Sequence, residues 1–472
     1  MQKQITLITL ALIAVLFSVS AVSAADIYVN TTGNDTTGNG TSENPFLTIG
    51  KGVNTAVAGD TVNIANGTYS GTGNNQITIN QAITIQGQSQ TGTIINGEGN
   101  QIFYNNANGV TIQNITFFDA TNWFGGAIYN NYNANITINS CTFKNNSGDY
   151  GGAIGNDGDM AINHCTFTNN TAEYGGAVYH CDGRMTITDC TFTGNSAQEG
   201  GAVWTDSGLL ATTVINNSIF DQNNATNDGG AICSYWSIAI TGCNFNKNTA
   251  GNNGGALCSA YDILTVKYSR FVGNNATSLG KDIYSHYGGL QNATLNWWGS
   301  NSGPASDRIY IEGTTMQSTM YNPWLVMNIN PADPSTIYTG QTSKITVNVY
   351  TDSNGVDHSA DAAQFFSGPE VTFKTDLGNV GSKSVTVPWS LGLAFAILRG
   401  DEGPGMATVT GTDGNQTLSA GVTILQAPTV EAAASTTTAE GTIGMQKTGM
   451  PIVGLVLAIL AVLGGALAPR RK

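Results

Sequence analysis

The sequence predicts an all-β protein: a right-handed parallel β-helix over residues 25–324, then a two-sheet β-sandwich over 325–426. Three observations carry this. A Gly-Gly-Ala-aliphatic block starts at Gly125, Gly151, Gly175, Gly200, Gly229 and Gly254, at spacings of 26, 24, 25, 29 and 25 residues. A Phe followed three residues later by Asn falls between the blocks in register: Phe143/Asn146, Phe167/Asn170, Phe192/Asn195, Phe220/Asn223, Phe245/Asn248 and Phe271/Asn274. The apolar pattern is short and alternating, with no 3.6-residue period and no Leu-rich frame. A fixed period near 25 residues means a solenoid, in which each repeat buries its face only against its neighbours.

In chain order, Lys3, the apolar run Ile5–Val19 and the short segment Ala21-Val22-Ser23-Ala24 predict a signal peptide over 1–24. Residues 25–65 are expected to cover the open end of the solenoid. Irregular coils follow, with Ile77-x-Ile79, Ile83-x-Ile85 and Val110-x-Ile112. The regular coils occupy 125–280. Within each, parity changes between Ile138 and Cys141, so the chain must bend at Asn139-Ser140. Stacked at ~4.8 Å, ten or eleven such coils would make a rod of about 50 Å. Equivalent residues then form ladders, with Asn146, Asn170, Asn195, Asn223, Asn248 and Asn274 as a structural amide ladder at the bend. Residues 296–324 close the solenoid. Beyond Pro323 the alternation Ile345-x-Val347-x-Val349 and the turn Asp352-Ser353-Asn354-Gly355 predict the sandwich. An Ala/Thr/Ser-rich tether (427–449), a transmembrane helix (450–468) and a basic cytoplasmic tail (469–472) are expected to follow.

Charged residues are only 10% of the 472, and the net charge is −14. Between Asp26 and Pro323 there are 20 acids and 8 bases, a balance of −12. Such a surface repels phosphate backbones, which argues against nucleic-acid partners. Thirteen Asn-x-Ser/Thr sequons, Asn30, Asn135, Asn169 and Asn292 among them, suit a secreted glycoprotein.

The paired Gly-Gly-Ala-Ile and Phe-x-x-Asn blocks resemble the repeats of polymorphic outer-membrane proteins. The whole layout is similar to adhesin-like surface proteins of methanogenic archaea, and Asn296-Trp297-Trp298-Gly299-Ser300-Asn301-Ser302-Gly303-Pro304 resembles the segment that ends their β-helix. The solenoid class implied is pectate-lyase-like, and the sandwich resembles bacterial immunoglobulin-like stalk domains. Met445-Gln446-Lys447-Thr448-Gly449 before the apolar helix resembles a sortase signal, with Met-Gln in place of Leu-Pro. The resemblance implies a surface adhesin binding extracellular glycans or cell-surface proteins, anchored in a membrane or, alternatively, attached to the wall. A surface-anchored polysaccharide lyase or glycoside hydrolase is the alternative.

The residues offer three candidate sites. Tyr129, Tyr179 and Trp204 occupy one strand position on different coils and are expected to face outward as exposed rings. Asp157, Asp182 and Asp206 fall at similar places beside Arg184, as a solvated turn, a Ca²⁺ site or an acid/base pair. Cys233 and Cys258 share a position on consecutive coils, within disulfide range across a ~4.8 Å step. No catalytic residue and no metal-ligand spacing is assigned.

Overall fold

A computed structural model describes residues 24–428 apart from 207, 209–212, 262, 287–288 and 314–317. The expected signal peptide, most of the tether, the transmembrane helix and the tail therefore lie outside the described residues. No helix among the described residues is long and apolar enough to cross a membrane.

Residues 25–311 form a right-handed parallel β-helix of about nine complete turns, fewer than the ten or eleven expected. The first and last rungs contribute to only some of its walls. Three long parallel sheets make those walls. The aliphatic sheet holds eleven strands, from Asp26–Val29 to Leu290–Asn292, and turns alternate residues such as Ile136 and Ile138 inward. The phenylalanine sheet holds nine, from Gly67–Tyr69 to Arg270–Val272. The glycine-following sheet holds ten, from Ile77–Ile79 to Ile309–Ile311.

Each bend has a local cause. The residue between the aliphatic and phenylalanine strands is left-handed, as at Ser140 (φ 49°), His164 (53°) and Asp189 (54°), which aims the next strand down a new wall. The first Gly of each pair is also left-handed, as at Gly175 (φ 64°). The second permits coil contact: a Cβ on Gly176 would lie 2.2 Å from the carbonyl oxygen of Gly201.

Inside, Phe117, Phe143, Phe167, Phe192, Phe220, Phe245 and Phe271 stack with ring centroids 4.6–5.1 Å apart. The six asparagines form the buried row beside them. The backbone N–H and the Nδ2 of Asn170 both donate to Oδ1 of Asn195, at 3.0 and 2.9 Å, and Nδ2 also reaches the carbonyl of Phe143 at 3.0 Å. The Cys/Ser row works similarly: Cys141 N–H donates to Cys165 Sγ (3.3 Å) and Cys190 N–H to Ser218 Oγ (3.1 Å). A small acceptor is what this position requires.

The ends are closed differently. The helix Ile49–Thr55, capped by the Thr48 hydroxyl, buries Ile49 and Val53 over the first rungs. Asp26–Val29 and Thr61–Ile64, within the expected cap, are themselves rungs of the aliphatic sheet. At the other end Trp298 stacks on Phe271 at 4.8 Å, and Asn296 Oδ1 accepts from Ser269 N–H at 2.9 Å. Trp298 thus extends the phenylalanine ladder and Asn296 the Cys/Ser row.

Residues 325–425 form two sheets around a separate core containing Val347, Val371, Phe373, Trp389, Val409 and Val422. One has three antiparallel strands: Leu325–Ile329, Thr342–Asp352 and Leu393–Arg399. The other has five, ordered Thr336–Tyr338, Gln416–Leu425, Gly405–Asp413, Gly368–Thr375 and Ser384–Trp389. They bond directly to the last coils. Asn415 N–H donates to Gly299 O, Phe366 N–H to Tyr268 O, and Asp413 pairs with Arg270.

Candidate functional site

The strand after each glycine pair places one side chain outward per coil: Tyr129, Gly155, Tyr179, Trp204, Cys233 and Cys258, with Tyr104 before and Tyr284 after. These point away from the main core, as expected, yet they are not an exposed ladder. Tyr179 and Trp204 are only 8% and 7% exposed. The aromatic residues preceding the first three glycine pairs lie over them. Phe124 and Tyr150 meet the Tyr179 ring at 5.2 and 5.0 Å, and Tyr174 meets Trp204 at 5.7 Å. Gly155 is small because Phe124 occupies its side-chain space; a Cβ there would lie 2.4 Å from Phe124 Cδ1.

The result is a second, external apolar cluster built of rings. An unbroken chain of ring contacts runs from Tyr104 and Tyr129 through Phe124, Tyr150, Tyr174 and Trp204. It continues through Tyr235, Tyr261, His286 and Tyr284 to Tyr310. The rings offered to solvent along it are Trp123, Tyr261 and Tyr310, 64%, 58% and 38% exposed; Tyr132, 62% exposed, stands on the adjoining turn. Their neighbours along the sequence give no sign of this, because exposure here depends on which ring covers which.

Acids line the belt. The Tyr129 hydroxyl donates to Asp157 Oδ2 at 2.7 Å. Burial raises the pKa of Asp157 and the charge of Asp182 adds to the rise, against the opposing Tyr129 hydrogen bond. Burial likewise raises Asp206, again with Asp182 contributing. The three predicted acids are therefore electrostatic neighbours along one turn. Glu199 and Asp228, not singled out by the sequence, sit on the other flank, both raised chiefly by burial. Burial also pushes the hydroxyls of Tyr129 and Tyr179 far above their usual range.

On the turn, Tyr132, Asn133, Asn135, Asp157, Asp159 and Asp182 line an open cleft of about 320 Å³. A second hollow of about 280 Å³ shares Asn135 and Asp159 and reaches Arg184. Asp159 accepts the Arg184 backbone N–H at 2.8 Å. The Asp157-Gly158-Asp159 spacing was the available signal for it. Among the described residues no group of three or more His, Cys, Asp or Glu is arranged to hold a metal ion, so the aspartate row does not converge into a Ca²⁺ cage.

Cys233 and Cys258 stand in register on adjacent strands, buried, as free thiols. The possible disulfide is not formed: residues in register on parallel strands point the same way, which opposes S–S closure geometry. A further interior ladder escaped the sequence reading. Asn105, Asn130 and Asn156 pass hydrogen bonds along at 2.8 and 2.7 Å, and Asn156 Nδ2 meets His180 Nδ1 at 2.8 Å. His180 is fully enclosed, its Nε2 has no partner among the described residues, and burial drives its pKa down to about 4.

Comparison with known proteins agrees with the fold. Residues 27–219 match the family described as "Right handed beta helix region", and residues 217–235 match the "Chlamydia polymorphic membrane protein (Chlamydia_PMP) repeat". No curated protein matches the chain. A solved rhamnogalacturonan lyase is similar at 15% identity and a TM-score of 0.29, over 58% of this chain and 74% of that one. A likeness of that degree assigns neither a reaction nor a substrate. The chain is a right-handed parallel β-helix repeat protein, like the polymorphic membrane proteins in its repeated blocks.

Proposed function

We propose that this is a non-catalytic, cell-surface adhesin-like protein whose β-helix displays the aromatic belt to glycans or surface proteins of other cells or particles. The single observation that carries this is the belt itself, with Trp123 and Tyr261 open to solvent and carboxylates on both flanks. Aromatic faces beside hydrogen-bonding acids suit sugar rings and protein side chains alike. The sandwich, read as immunoglobulin-like, would serve as the base of the display unit, and residues 450–468 as a single-pass anchor. Weak contacts would gain strength from many copies on one surface.

The test is retention of the purified protein on polysaccharide- or cell-coated surfaces. Trp123→Ala combined with Tyr132→Ala and Tyr261→Ala should abolish retention while the melting temperature holds. Retention unchanged in that triple variant would sink the belt as the contact surface. Protease added to intact cells should release the β-helix; full protection would refute surface display.

One observation favours a lyase or hydrolase as the second reading. Asp157, whose pKa is raised, neighbours Asp182 in a cleft beside Arg184. Two carboxyls facing one cleft, one of them held above its usual pKa by burial, are the pairing glycoside hydrolysis uses. Bond cleavage of uronate or neutral polysaccharides, with or without added Ca²⁺, that disappears in Asp182→Asn would establish it in place of the adhesin.

A further inference from the structure

The outer face of the aliphatic sheet, on a different wall from the belt, carries two rows that are uncharged between their ends. One row reads Tyr28, Asn63, Gln86, Gln113, Asn139 and Asn163 on six successive rungs. It continues through Thr188, Asn216 and Thr241 before the first charge, Lys267. The row beside it opens on Asp26 and from Thr61, Thr84, Thr111 and Thr137 through Thr265 is hydroxyl or small apolar. In a region of net −12, the charges of this strip are confined to its two ends, Asp26, whose Oδ1 accepts from Asn63 Nδ2 at 2.9 Å, and Lys267.

The strip begins at a built cavity. A groove of about 340 Å³, within the range of small-ligand sites, lies against its first rungs. Tyr28, Asn30, Pro45, Asn63, Gln86 and Gln88 are among its lining residues, none of which is charged. Several amides there are only half used. Gln86 Oε1 accepts from Gln113 Nε2 at 2.6 Å and Gln88 Oε1 accepts from Asn66 N–H at 3.0 Å. The Nε2 groups of Gln86 and Gln88 have no partner among the described residues. Asn163 Nδ2 donates to Asn139 Oδ1 at 3.0 Å, so the amides of the track are held in fixed orientations.

We propose that this groove and the amide track leading from it bind a neutral, extended polysaccharide chain lying along the helix axis. Amides offer donor and acceptor together, which matches sugar hydroxyls, and Tyr28 supplies the ring face in the groove. The rungs repeat every ~4.8 Å, close to the advance of a 1,4-linked pyranose chain per sugar, so successive sugars meet equivalent amides. The lining offers no cation and Asp26 stands beside Asn63, so an ionised uronate would find no compensation there for its lost hydration. This site is independent of the aromatic belt, and its failure would leave the belt reading untouched.

The test uses the full-length protein with cellohexaose, and hexagalacturonate as the charged counterpart. Cellohexaose should bind with an affinity that hardly changes between low and high salt. Gln86→Thr with Gln113→Thr, which reproduces the threonine of later rungs, should weaken it about tenfold, as should Tyr28→Ala. The Trp123→Ala, Tyr132→Ala, Tyr261→Ala variant should bind as before. No binding of cellohexaose, equal or better binding of hexagalacturonate, or affinity unchanged in both amide and tyrosine variants would each overturn the proposal. A lowered melting temperature with unchanged affinity would show the amide row to be a stabilising ladder only.

Discussion

Arg270 of the phenylalanine sheet and Asp413 of the sandwich form an ion pair with both side chains buried. Asp413 Oδ2 also accepts from Arg270 Nε at 2.9 Å, Trp297 Nε1 at 2.8 Å and Trp389 Nε1 at 3.0 Å. The remaining guanidinium nitrogen reaches the side-chain oxygens of Asn244 and Asn246. One carboxylate thus gathers the last coils, the closing Trp297 and the sandwich. The sandwich is fixed to the solenoid rather than strung behind it as a loose spacer.

Arg270→Met should therefore destabilise the protein by roughly 3–5 kcal/mol, because Asp413 is left as an unpaired buried charge. Arg270→Met with Asp413→Leu should recover much of that loss. Urea unfolding of the three proteins checks it; a double variant as unstable as the single would refute the charge argument.

Phe192→Ala empties a position filled on both sides by stacked rings 4.6 and 4.8 Å away. The expected loss is about 3–5 kcal/mol. Chemical denaturation with an unchanged m-value would confirm that native packing alone is affected.

Asn195→Ala leaves the backbone N–H of Asn170 without an acceptor, strips its Nδ2 of one of two acceptors, and removes the donor to Phe167 O. A loss of ~1–3 kcal/mol is expected for buried groups left unpaired. Amide hydrogen exchange at Asn170 should accelerate well beyond exchange in the sandwich.

Two buried groups oppose each other in acid. His180 titrates near 4 in the fold and near 6.5 when unfolded, so its contribution is full above 6.5 and is lost as pH falls toward 4, by about 3 kcal/mol. Asp282 is raised, chiefly by burial, from 3.8 to about 6. Its contribution is full below about 3.8 and is lost as pH rises to about 6, again by roughly 3 kcal/mol. Between pH 4 and 6 the two slopes cancel. His180→Asn should make stability fall with rising pH across that window, and Asp282→Asn should make it rise. Melting temperatures against pH for the two variants decide the point; parallel profiles would contradict it.

Gly176→Ala would force a Cβ to within 2.2 Å of the Gly201 carbonyl oxygen and should cost on the order of 1–3 kcal/mol or more. The last block, Gly280-Lys281-Asp282-Ile283, carries Lys281 in the second glycine place. Lys281→Ala should change the melting temperature little, which makes it the matched control.

The sequence made the period, the sheet walls, the bend at Ser140 and the two principal ladders legible, because each repeats its residue type at every coil. It misjudged Tyr179 and Trp204 because strand parity tells inside from outside only for one sheet. Whether an outward ring is exposed depends on Phe124, Tyr150 and Tyr174, which arrive from neighbouring coils. The Asn105–His180 ladder went unread because its residue type changes along the row. The ion pair of Arg270 and Asp413 joins residues 143 positions apart and has no periodic signature at all.

The near identity of the stacked rungs has a consequence for inheritance. A duplication or deletion of one 24–29-residue block leaves the stacked Phe, Asn and aliphatic rows with neighbours of the kind they already fit, and both closing segments intact. The rod can lengthen or shorten between generations in single steps of ~4.8 Å, with each step carrying one outward position free to vary. Reach and surface chemistry can thus be changed by unequal exchange within the gene, while the interior that keeps the protein folded is copied unaltered.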